Sequence, residues 1–128
     1  MTGPEKVVTD FILAWESSLV ASHDDYLSED CLWLNTGFPD CEGKPAIMEL
    51  MEKMIAIVPS AHADIIGMAS NGDTVYTQRV DHIILRDGKE AFTVDAVSVA
   101  VVRDDKIVSW HDFFDPTPFF GMMSEEAS

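Results

Sequence analysis

A single change of period constrains this chain more than any other feature. Up to about residue 60 the apolar residues recur at helical spacing, as Val8, Phe11, Ile12, Trp15 and Leu19 and again as Ile47, Leu50, Met51, Met54 and Val58. From about residue 61 onward they alternate as strands do, broken by the turn signals Asn71-Gly72, Asp87-Gly88 and Asp104-Asp105. Helices grouped first and strands second predict an α+β architecture, in which helices bury their apolar stripes against one face of a curved antiparallel sheet.

Local signals sharpen the boundaries. Thr2, Pro4 and Glu5 mark a helix start, and the first helix is expected over about 4–20. Ser22 followed by Asp25 predicts a short second helix ending near Tyr26 or Leu27, and the segment from Cys31 to Asn35 reads as extended, before a turn at Gly37 and Pro39. A longer helix begins near Lys44-Pro45 and is closed by Pro59. Four strands are expected at about 61–70, 74–86, 89–102 and 106–115. Residues 116–128 hold Phe119, Phe120, Met122 and Met123, and are expected to form an apolar flap at the open end of a pocket.

The chain is read as one domain spanning residues 1–128. Eight Lys and Arg against 23 Asp and Glu give a formal charge of −15, which disfavours nucleic acid and anionic membranes as partners. No apolar run approaches the roughly 20 residues of a membrane span, and no basic segment followed by an apolar one opens the chain, so a cytoplasmic location is expected. Cys31 and Cys41 are too few for a disulfide framework and are read as reduced thiols. Asp24-Asp25, Glu29-Asp30, Asp104-Asp105 and Glu125-Glu126 lie beside turn-like sequence and read as solvated loop carboxylates. The histidines at 23, 62, 82 and 111 lack a ligand spacing, so neither a metal nor another cofactor is expected.

More informative are the acids inside apolar strands. Strand alternation puts Arg79 and Asp81 on one face with Ile83, and Asp112 on one face with Trp110 and Phe114. Two readings fit this pattern: a structural ion pair at the rim of the sheet, or three charged groups converging in an apolar cavity. In the second, two carboxylates share one guanidinium, and one of them retains a proton near neutral pH. An acid and a base then coexist.

The segments Tyr76-Thr77-Gln78-Arg79-Val80-Asp81 and Trp110-His111-Asp112-Phe113-Phe114-Asp115 resemble the two signature segments of the limonene-1,2-epoxide hydrolases, and Asn35 and the Ser70-Asn71-Gly72 turn extend the resemblance. It implies the cone-shaped fold shared by nuclear transport factor 2, ketosteroid isomerase and the polyketide cyclases. It also implies that Asp112 is the base that activates water, Asp81 the acid that protonates the epoxide oxygen, Arg79 the bridge between them and Asn35 a residue that holds the water. The implied partners are water and a small apolar epoxide, in a pocket for which Ile83, Val94, Ala96 and Phe114 are the lining candidates. Where the family has a water-positioning tyrosine this chain has Trp33, whose indole donates but does not accept; Trp33 reads equally as a core aromatic.

Other features fit less specific roles. Met48, Met51 and Met54 read as core filler or pocket lining, and His82 and His111 as surface or interface residues. Asp95, together with Val97, Val99 and Phe113, falls on the face opposite the pocket, which is expected to meet a second copy in a homodimer. The competing functions are an isomerase or cyclase of the same fold, using Asp40 or Asp112 beside a carbonyl, and a binding module that has kept the cone without the chemistry.

Overall fold

A computed structural model describes residues 1–127, with side-chain surroundings up to Met122; the side chains of Met123, Glu125 and Glu126 lie outside the described residues. The chain runs α1 (Gly3–Ala14), α2 (Leu19–Tyr26), β1 (Leu27–Asn35), β2 (Cys41–Glu42), α3 (Lys44–Ile57), β3 (Ser60–Asn71), β4 (Thr74–Ile84), β5 (Glu90–Arg103), β6 (Lys106–Phe113) and α4 (Thr117–Ala127). The α+β architecture expected from the change of period is present.

The helices differ from the expected boundaries in one place. Thr2 and Glu5 form the capping box, but α1 ends at Ala14 with Trp15 as its C-cap, and Ser18 caps a separate α2 through a bond from Ala21 N to its side chain. Ser22 is therefore not a cap: it is buried inside α2 and its hydroxyl donates to Leu19 O. The break turns His23 inward. Pro45 sits in the first turn of α3, where a missing N–H costs nothing.

Six strands form one sheet in the order β2-β1-β6-β5-β4-β3. The meander β3 to β6 is antiparallel, whereas β1 returns to lie parallel to β6, with Trp33 beside Trp110 and Asn35 beside Asp112. β1 starts at Leu27, earlier than expected, so Glu29 and Asp30 are exposed strand residues rather than loop acids. Asp104 and Asp105 do form the β5–β6 turn, both with positive φ. Bulges in β3 and at the ends of the β4–β5 and β5–β6 ladders curve the sheet about its inner face.

The helices fill that inner face. Val8, Phe11, Ile12 and Trp15 of α1 pack with Leu27, Cys31 and Trp33 of β1, Ile47 and Met51 of α3, and Trp110 of β6. The free thiols Cys31 and Cys41 belong to this core, and burial pushes the Cys31 thiol up to about 12. A second cluster of Val58, Ala61, Ile83, Val94 and Phe119 closes the other end. The segment expected as a flap is the helix α4, whose Phe119 packs edge-on against Phe92, Phe114 and Phe38. Gly37 lets it dock: at φ 83° a β-carbon there would stand 2.7 Å from Pro116 Cγ.

The outer face of the sheet is different in kind. Val97 and Phe113 are cross-strand neighbours there, 44% and 46% exposed, beside exposed Tyr76 and Asp95. His111 stacks on Phe113, and His82 stacks on His62 while contacting Glu90 through Nδ1 and Asp64 through Nε2.

Candidate functional site

Strand register does most of the work of building the site. Asn35, Asp112, Ser98 and Thr77 occupy one row across β1, β6, β5 and β4, while Arg79 and Ala96 form the next pair along the sheet, followed by Asp81 and Val94. All face inward. Because β5 separates β4 from β6, the Arg79 side chain must cross it to reach Asp112, a span of two strand spacings or about 9.6 Å. It crosses where β5 offers only Ala96 and Ser98.

The guanidinium is 2% exposed and flanked by two indoles, its Cζ 5.0 Å from the Trp15 ring and 5.6 Å from the Trp110 ring. Arg79 Nε donates to Asp81 Oδ1 at 2.8 Å and Nη2 to Asp81 Oδ2 at 3.2 Å, a bidentate pair. Nη2 also stands 2.9 Å from Asp112 Oδ1, but as a contact of charges off the hydrogen-bond axis, so that oxygen keeps no aligned donor. The structure thus brings Arg79, Asp81 and Asp112 together, and the ion pair lies in the interior rather than at the rim.

Burial pushes the Asp81 carboxyl above the usual carboxylate range, against the pull of the guanidinium and with help from the charge of Asp112. Burial also opposes the charge of Arg79, yet Asp112 and Asp81 more than offset it and the guanidinium stays protonated. One site therefore offers a fixed cation, a carboxyl shifted toward its protonated form and a second carboxyl.

The trio opens on a cavity of about 100 Å³. Ile83, Val94 and Phe114 line it as expected, with Val58, Ala61 and Phe119 completing the apolar end. Ala96 does not line it, and is instead the small residue opposite Arg79 in the β4–β5 ladder. Met51 and Met54 line the α3 side. Trp33 stacks on Trp110 at 5.9 Å in the core, as a core aromatic does, and also lines the cavity. Asp40 is exposed and stands outside it.

Around the trio, several buried polar atoms lack a hydrogen-bond partner within the protein. They include Trp33 Nε1, Asn35 Oδ1, Arg79 Nη1 and Asp112 Oδ1, all on residues that line the cavity. Buried polar groups are normally paired, so these atoms are open to water or to a polar group of a ligand. Two contributors escaped the sequence reading. Thr36 clamps the strand ends, its hydroxyl donating to Asp112 O at 2.7 Å; His23 enters the cavity wall from α2. An i, i+1 continuation of β1 could have pointed to Thr36, whereas nothing in the strand pattern signals a histidine on a helix.

Comparison with known proteins places this geometry. An LEH-like epoxide hydrolase from M. tuberculosis is 24% identical over 96% of this chain and 90% of its own, with a TM-score of 0.74. An NTF2-like protein of unknown function from Burkholderia pseudomallei superposes with a TM-score of 0.82 at 12% identity, over 97% of this chain and 99% of that one. A protein with a ketosteroid isomerase-like fold from Catenulispora acidiphila, in complex with trimethylamine, gives 0.77 at 16% identity, over 93% and 92%. These likenesses show the NTF2-like fold, on which the chemistry varies. The sequence pattern of the SnoaL-like domain matches residues 8–110, from the first helix into the strand that carries Asp112, and the chain belongs to that family.

Proposed function

We propose that this chain is a cofactor-independent epoxide hydrolase that adds water to a small apolar epoxide in one acid-base step. The observation that carries the reading is one guanidinium holding two inward-facing aspartates, of which Asp81 is pushed toward its protonated form. Asp112 then takes a proton from water while Asp81 donates one to the epoxide oxygen, and the attacking water oxygen bonds to a ring carbon as the carbon–oxygen bond opens. Asp112 leaves protonated and Asp81 ionised, and exchange of a proton with solvent at each restores the start. Asn35 and Asp112 are neighbours in register; Asn35 Oδ1 has no hydrogen-bond partner and Asp112 Oδ1 has only the off-axis contact with Arg79 Nη2, which suits the two hydrogens of one water. Trp33 Nε1 supplies a donor for its oxygen. The apolar end formed by Ile83, Val94, Phe114 and Phe119 suits an uncharged hydrocarbon skeleton.

Asp112→Asn tests the role of Asp112 without changing shape. Diol formation from cyclohexene and styrene oxides by purified protein should fall roughly 10²–10⁴-fold. Wild type that forms no diol from any cyclic or aryl epoxide refutes the hydrolase reading and leaves a proton-transferring isomerase or cyclase, with Asp112 as the base, to be tested. We further propose that the apolar outer face around Val97 and Phe113 is covered by a second copy of the chain.

A further inference from the structure

The cavity has a polar group that hydrolysis does not use. Ser18 caps α2, and within that helix His23 is 2% exposed and shares the cavity wall with Trp33, Arg79 and Asp112. Its Nδ1 lies 2.7 Å from Leu19 O. A carbonyl oxygen only accepts, so Nδ1 carries the ring proton, and a neutral imidazole has just one. Nε2 is therefore a lone-pair acceptor, and it has no hydrogen-bond partner among the described residues.

The ring is held in that state and orientation. Burial lowers the His23 pKa to about 4, against the bond to Leu19 O, so the imidazole is neutral throughout the neutral range. Phe11 and Trp33 meet it edge-on at 4.9 and 5.0 Å, and Trp15 stacks at 6.4 Å. Flipping the ring would put Cδ2 where Nδ1 stands and lose the bond to Leu19 O. Of the other polar groups of the cavity, Asp81 and Asp112 serve the epoxide and water and Asn35 and Trp33 the water, while the unpartnered Trp15 Nε1 and Arg79 Nη1 are donors and offer no acceptor to a hydroxyl.

We propose that His23 Nε2 is the recognition point for a neutral hydroxyl on the ligand, so that the cavity selects hydroxylated apolar molecules over bare hydrocarbons of the same size. This deepens the hydrolase reading and rests on it only for the reacting group: the substrate class becomes small alicyclic or aryl epoxides that also carry a free hydroxyl. A buried acceptor that meets a ligand without a donor is left unpaired, and that asymmetry is what discriminates.

The test uses ligands that cannot react. Binding of cyclohexanol and of methoxycyclohexane, which differ in the O–H donor, is followed by the fluorescence of Trp15 and Trp33 in the cavity wall. Wild type should bind the alcohol about tenfold more tightly than the ether. His23→Phe should bring the alcohol-to-ether ratio to about one, and Leu19 O stays satisfied in the variant through Ser22 Oγ. In ¹⁵N-labelled wild type the His23 Nε2 resonance should move with cyclohexanol and not with the ether, a readout that needs no variant. Equal binding of the two compounds by wild type, or an alcohol preference that survives in His23→Phe, overturns the proposal. Because nothing is turned over, these results stand apart from whether the protein forms diols.

Discussion

The reach of Arg79 across β5 can be tested at Ala96, a residue that touches neither carboxylate in the proposed chemistry. Ala96 is 2% exposed and sits opposite Arg79 in the ladder, so Ala96→Leu adds three carbons in the path of the guanidinium. If the neighbours absorb the bulk and Arg79 stays in place, overpacking costs about 1–3 kcal/mol. If the guanidinium is displaced, Asp81 and Asp112 lose their buried counter-charge, and breaking such a pair costs a further ~3–5 kcal/mol. Together these reach roughly 4–8 kcal/mol, a large share of the 5–15 kcal/mol that stabilises a typical domain. The crossing geometry favours displacement, because Ser98 on the other side of the path is also fully buried. Urea unfolding gives the stability change, provided the slope is unchanged, and diol formation below the transition gives the activity. The expected result is the larger destabilisation with turnover reduced by more than about 10²-fold, as expected when charged groups are misplaced. A variant within about 0.5 kcal/mol of wild type and fully active would mean that Arg79 does not pass over Ala96, and the account of how the trio is assembled would be wrong.

Other expectations follow from the same geometry. Since Asp81 must be protonated to act as the acid and its pKa is raised, kcat/KM should fall on the alkaline side as pH passes that raised value, above the usual carboxylate range; a profile flat from about pH 4 to about pH 9 contradicts the assignment. Trp33→Tyr exchanges a donor-only indole for a smaller phenol that can also accept, and should shift the kcat/KM ratio of limonene oxide to cyclohexene oxide by about tenfold toward the larger substrate. An unchanged ratio would assign Trp33 to packing alone. Phe113→Glu, at the exposed outer face, should convert a dimer to a monomer by light scattering while leaving diol formation intact, and a wild type already monomeric at micromolar concentration refutes the covered face.

How far the sequence could be read depended on the range of each signal. The change of period gave the α+β class because it averages over long windows, and strand alternation put Arg79 and Asp81 on one face with Ile83, and Asp112 on one face with Trp110, because it depends only on parity; that these faces converge is seen only in the structure. The boundary between α1 and α2 was misplaced because Ser22-Asp25 mimics a capping pair, whereas the true cap, Ser18, has Ala21 rather than an acid at the third position. His23 was lost with it, since its inward face depends on where the helix starts. The parallel pairing of β1 with β6 was not legible, as local alternation carries no information about which strands become neighbours. Ala96 was placed on the correct face with the wrong role: parity shows that it points inward, but only the register shows that a long side chain passes over it.

The insertion of β6 between β1 and β5 has a consequence for synthesis on the ribosome. Asn35 and Asp112 are neighbours in the sheet but 77 positions apart in the chain, and β1 has no place in the sheet until residues 106–113 have emerged. Nascent chains ending anywhere short of that strand carry β1 with the edge opposite β2 open, a state prone to wrong pairing. The helices can form early, yet the closure that seats Asn35 beside Asp112 has to wait for nearly the whole chain, and such non-local pairing is slow. A truncated product therefore lacks the reaction centre altogether rather than holding a weakened one.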